Sequence, residues 1–222
     1  MEDNKEKKQL GKIEVLKTLS DQQDALREIA TSPEQPKERA FDVEKTDGET
    51  FYQNALGLTV DFTEVKVPSR PGLERNFTLI AVEKRLTLEK ILATNKTECL
   101  IRINPLISLE GISSPYFTNR AYMVWAADDL RPDLRIMNQR NTAGKRIMTV
   151  EERILFGIKR FINAREGQSK YYDMEMPTLT SSYVDVRRDT KAIVVRFQNG
   201  GIYIDIQDRH TPGGAREVFG IE

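Results

Sequence analysis

The sequence predicts an α+β fold: a mostly antiparallel mixed sheet carrying one packed amphipathic helix, with a C-terminal β-hairpin and a helical N-terminal arm. Three observations carry that prediction. The stretch Gly144–Ile162 (GKRIMTVEERILFGIKRFI) has a Ser/Thr-x-x-Glu start at Thr149 and Glu152, a reciprocal cap for a helix beginning there. At about 100° per residue, its Val150, Ile154, Leu155, Ile158, Phe161 and Ile162 fall on one broad apolar arc that must pack on something. Apolar runs of strand length precede it (FTLIAV, AYMVWAA), and two alternating runs joined by Asn-Gly follow it. Strands grouped on either side of one long helix favour helices laid on one side of an antiparallel sheet.

Composition limits the rest. The 222 residues allow one domain with an appendage, and 34 basic side chains cancel 34 acidic ones. No global field favours nucleic acid or a charged membrane surface, so neither is an expected partner. A single cysteine, Cys99, excludes an internal disulfide and sits in an apolar run, as a small buried hydrophobe would. The charged start MEDNKEKKQL lacks a signal-peptide core, and no run reaches the roughly 20 apolar residues of a membrane span. A cytoplasmic location is the expectation.

In chain order, residues 5–30 read as a helix with an intermittent stripe (Ile13, Leu16, Leu19, Leu26, Ile29) that Ser20–Asp24 interrupts. Pro33 and Pro36 end it, and a polar linker follows to Thr50. Residues 1–50 carry 9 basic and 13 acidic side chains, a net of −4, and form a charged arm. The single α+β domain spans 51–222. Leu58–Val67 alternates like a strand with a bulge. Phe77–Val82 reads as a doubly buried strand, Thr87 caps a short helix to Thr94, and Cys99–Ile103 is a short strand. Pro105–Pro115 is irregular, Ala121–Ala127 is a buried strand, and Asp128–Lys145 is a polar loop. After Gly167 the chain is loop-like to Tyr183, then extended through Val186.

The last element is the best specified. If Asn199 and Gly200 form a type I′ turn between Lys191–Phe197 and Ile202–Asp208, the register follows. Phe197 opposes Ile202, Val195 opposes Ile204 and Ile193 opposes Ile206, all on one face. Arg196 then faces Tyr203 and Val194 faces Asp205 on the other.

From Asn76 onward the order of features resembles a family of uncharacterised bacterial proteins known as a domain of unknown function. The shared features begin with FTLIAV, a Pro-Leu-Ile segment at Pro105–Ile107 and YMVWAAD. Asn138 follows, and then Lys145–Glu152 in place of a Gly-x-Arg-x-x-Leu-Thr-x-x-Glu-like stretch. An Arg-x-x-Asp-like turn at Arg187, Arg188 and Asp189 precedes the hairpin, and His210-Thr211 stands before Gly213. The chain departs where that family tends to carry Trp, having Arg196, Tyr203 and Pro212 there. The resemblance implies the fold and no activity.

Candidate chemistry is sparse. His210 is the only histidine, with Asp205 and Asp208 near it and Gly213-Gly214 following in a loop whose N–H groups could face an anion. Asp61, Glu64 and Lys66 on the Leu58–Val67 strand match the metal-and-lysine pattern of restriction-type nucleases, and equally an edge strand kept soluble by charge. Residues 128–165 hold 9 basic and 5 acidic side chains, and Lys145, Arg146 and Arg140 before the helix are candidates for an anion at its N-terminus. The Walker and dinucleotide glycine patterns are absent, so no cofactor and no metal are assigned. Glu151 falls inside the apolar arc, but in a first turn where the helix dipole accepts an anion without further role. Trp125 and Tyr122 read as core. The expectation is a soluble, non-enzymatic protein-interaction module engaging a partner through residues 1–50 or the 128–146 loop. The alternative is a metal-dependent hydrolase.

Overall fold

The computed structural model describes residues 36–72, 75–115, 119–129, 134–137, 144–164, 177–198 and 201–220. The chain divides into two compact units, Met1–Asp42 and Val43–Glu222. Residues 36–50, read above as linker, are helical: α1 runs Pro36–Phe51, with proline in the first turn, where its missing N–H costs nothing. The predicted helix over 5–30 lies outside the described residues.

The second unit is α+β, built on two sheets rather than one. β1 (Phe77–Val82), β4 (Tyr122–Ala127) and β10 (Val218–Phe219) form an antiparallel sheet in the order β1-β4-β10. A larger sheet runs β2-β8-β7-β6-β9-β5, comprising β2 (Leu100–Ile103), β5 (Leu134–Met137), β6 (Thr178–Val186), β7 (Asp189–Gln198), β8 (Gly201–Asp208) and β9 (Gly213–Ala215). β3 (Ile112–Ser113) pairs with β6. Most pairings are antiparallel; β2–β8 and β6–β9 are parallel. α2 (Leu88–Thr94) starts at Thr87, whose hydroxyl accepts from the Lys90 N–H at 3.1 Å.

α3 (Val150–Asn163) carries the predicted capping box at Thr149 and Glu152. It packs on the small sheet through β1 and on the large one through β6 and β7. Every residue from Val150 to Ile158 is therefore buried, the charged ones included. Close approach is needed on the hairpin side, since a Cβ on Gly157 would stand 2.9 Å from the Ile202 side chain. The main core joins this helix to both sheets, and Ile147, Leu179, Ala192, Val194 and Ala215 cluster separately.

Polar groups enter this core because aromatic rings and carbonyls receive them. The Arg216 guanidinium donates to the carbonyls of Ala127 and Asp129 at 3.0 and 2.8 Å and lies 5.1 Å from the Phe156 ring. Arg153 sits against the rings of Phe156 and Phe197. Cys99 is buried, and burial pushes its thiol up to about 11. The Trp125 ring is core, with its N–H donating to the Pro68 carbonyl at 2.8 Å.

The β7–β8 register matches the predicted one at every named pair; the Asn199-Gly200 turn itself is outside the described residues. Other expectations are corrected. Leu58–Val67 forms no strand: Glu49 takes the Phe62 N–H and Asp61 takes the Thr63 N–H, so a turn replaces a ladder while Phe62, Val65 and Val67 still point inward. β6 starts at Thr178 rather than Tyr183, β5 lies within the predicted Asp128–Lys145 loop, and Gly213-Gly214 is strand β9 instead of an anion-facing loop. The β6–β7 connection turns on Arg187 and Arg188 with φ of 51° and 73°, the geometry of a two-residue hairpin loop.

Candidate functional site at the N-terminus of α3

Two adjacent glutamates open α3, and the two sheets treat them differently. Glu152 is wholly enclosed. Its Oε2 accepts from the Thr149 N–H at 2.9 Å, completing the cap. Its Oε1 accepts from the Tyr122 hydroxyl at 2.8 Å and the Arg146 guanidinium at 2.5 Å. Arg146 also lies 5.8 Å from the Tyr122 ring. Burial, and then the Glu152 charge, pushes the Tyr122 hydroxyl far above its ordinary range, which keeps it a donor.

Glu151 is buried too, but it is 7 % exposed and faces a cleft. Its Oε2 accepts from the Ser114 hydroxyl at 2.8 Å; Ser114 and Ser182 hydroxyls are 2.7 Å apart; the Ser182 oxygen accepts from the Val150 N–H at 2.9 Å. The carboxylate fixes the direction of this chain, since the Ser114 hydroxyl donates to it. Each hydroxyl has one proton, so Val150 donates to Ser182, Ser182 to Ser114, and Ser114 to the carboxylate. These partners are neutral. Desolvation raises the Glu151 carboxyl above its ordinary range, hydrogen bonds from the backbone, Ser114 and Thr149 oppose that, and the Glu152 charge adds to it.

The cleft holds about 500 Å³ between the start of α2, the Leu109–Gly111 turn, β3 and α3. Leu88, Leu109 and Ile112 make apolar walls, and Glu89, Glu110 and Glu151 supply carboxylates. Among the described residues no Lys, Arg or His lines it. A second cleft of about 660 Å³ lies on the Tyr122 side, where Lys66 and Arg120 are the charged wall residues.

The residues singled out from sequence do not gather at one place. Asp61, Glu64 and Lys66 are exposed on the irregular 57–67 segment, and hydrogen bonds from Thr63, hydroxyl and N–H, hold the Asp61 carboxyl below its ordinary range. Asp205 is bound by Arg196 and by Asn104, the latter at 2.7 Å. Asp208 accepts the His210 N–H at 2.8 Å in the turn after β8, and the His210 side chain is exposed. Lys145 pairs with Glu217 at 2.6 Å and Arg146 with Glu152, both within the chain; Arg140 is outside the described residues. Among the described residues no three His, Cys, Asp or Glu side chains gather as a metal site requires. Sequence reasoning passed over Glu151, Ser114 and Ser182. The one available signal was a glutamate on the apolar side of the arc.

No helix among the described residues is long and apolar enough to cross a membrane. No protein family, curated protein or solved structure matches the chain.

Proposed function

We propose that the Val43–Glu222 domain is a cytoplasmic, non-enzymatic protein-interaction module that receives a partner segment in the cleft at the start of α3. The observation that carries this reading is the cleft itself: about 500 Å³, apolar-walled, and floored by a buried carboxylate held in place through Ser114 and Ser182. A volume in the range of ligand sites, with few convergent polar groups, is the form a binding pocket takes. The hydrolase alternative has less support, since Asp61, Glu64 and Lys66 are exposed off any strand and Asp205 is tied to Arg196. The ordered motifs from Asn76 onward are the basis for proposing kinship with the bacterial domain of unknown function.

Ser113 is an exposed wall residue, so Ser113→Trp fills the cleft without touching the hydrogen-bonded floor. Fluorescence polarisation against labelled peptides of basic, neutral and acidic composition tests the reading. Binding by one class, lost in Ser113→Trp at unchanged melting temperature, supports it. Equal binding by both proteins, or none by the wild type, overturns it.

A further inference from the structure

Buried carboxylates are ordinarily matched by a cation, because desolvating an uncompensated charge costs several kcal/mol. Glu152 obeys this rule through Arg146. Glu151, beside it on the same helix turn, is matched by hydroxyl and N–H dipoles, and the charge that acts on it is that of Glu152, of the same sign. The residues facing it across the cleft repeat the pattern: Glu89 from α2 and Glu110 from the Leu109–Gly111 turn. Arg85 and Glu83 line a small hollow that Glu151 also lines, where Arg85 donates to Asn119 at 3.2 Å and Glu83 is bound by Lys90 at 3.3 Å.

The walls add a second requirement. Leu88 is buried at the base, and Leu109 and Ile112 are half-buried beside it. An occupant must present a cation at the Glu151 end and methylene surface along the walls. Bare metal ions lack the second feature, and acidic or phosphorylated groups meet three carboxylates. Lysine and arginine side chains have both, an apolar stem under a charged head.

We infer that the cleft recognises a basic peptide segment of a partner protein, seating a Lys or Arg side chain with its head on Glu151 and its stem against Leu88, Leu109 and Ile112. This rests on the interaction-module reading and names the chemistry of that same cleft. The head adds charge-assisted hydrogen bonds to a carboxylate already positioned by Ser114, so little ordering is left to binding. Glu89 and Glu110, exposed at the mouth, steer the approach and contribute less.

Fluorescence polarisation with a short peptide alternating Lys and Leu, its Lys→Gln analogue and its Lys→Glu analogue tests the inference, with spermine as competitor. The Lys peptide is expected to bind, the Glu peptide not at all, and the Gln peptide about tenfold or more weaker. Glu151→Gln, which can still accept from Ser114, is expected to lose the same factor of about ten. Glu110→Gln, which leaves the floor intact, loses only a few-fold, and that loss shrinks as salt rises. Equal affinity for Lys and Gln peptides, undiminished binding by Glu151→Gln, or displacement by spermine at concentrations matching the peptide's own affinity would overturn it. If Ser113→Trp abolishes binding of a neutral peptide while the Lys peptide never binds, the cleft stands and its basic specificity falls. If Ser113→Trp changes nothing, the interaction site itself is wrong.

Discussion

The two sides of the α3 N-terminus each bury the same functional group and differ in what answers its charge. On the Tyr122 side, Glu152 meets a guanidinium, a phenol and a backbone N–H, and the surroundings close over it. On the β3 side, Glu151 meets a relay of neutral donors ending at a cleft. An enclosed, compensated carboxylate ties the start of the helix to β4 of the small sheet. A compensated charge has nothing left to offer a partner, whereas a dipole-held charge at a cleft floor does.

Breaking the closed side should have the largest effect. Glu152→Ala removes the acceptor that Arg146 and the Tyr122 hydroxyl share, and urea denaturation should show a loss of about 3–5 kcal/mol. Arg146→Met combined with Glu152→Leu removes both charges and should lose less than Glu152→Ala alone, which separates the value of the pair from the cost of removing one charge of it. Thr149→Ala removes only the hydroxyl half of the cap and should cost about 1 kcal/mol by the same measurement.

Much of this architecture is legible in the residues, and the misses share a cause. The α3 boundary and the β7–β8 register were readable because their signals are local: a capping box in one case, Asn-Gly between alternating runs in the other. Leu58–Val67 misled because alternation reports which side chains point inward, and Phe62, Val65 and Val67 do so without any pairing strand. β5, β9 and β10 are too short, and Gly213-Gly214 too featureless, to announce strands. Pro36 read as a stop when it stands in a first turn. The site was hidden for a different reason. Glu151 looked like a dipole-tolerated first-turn anion because one packing partner was assumed for the helix, and a second sheet on the other side turns that surface inward. Ser114 lies 37 residues from Glu151 and Ser182 lies 68 from Ser114, so nothing in the local pattern joins them.

The most direct test of the distinction is stability against pH for wild type, Glu151→Gln and Glu152→Ala, measured by urea denaturation. Glu83, Arg85, Glu89, Glu110 and Glu152 face or adjoin Glu151, so the comparison is made between proteins rather than on one profile. The Glu151 carboxyl is raised in the folded state above its ordinary value of 4.5, so the native protein holds that proton more tightly than the unfolded chain. Its contribution is therefore most favourable below the ordinary range and is lost as pH rises through the folded value. Glu151→Gln should remove that decline and match or exceed wild type at pH 8, while Glu152→Ala should remain several kcal/mol below it. A Glu151→Gln protein as destabilised at pH 8 as Glu152→Ala would contradict the account, because both glutamates would then be structural.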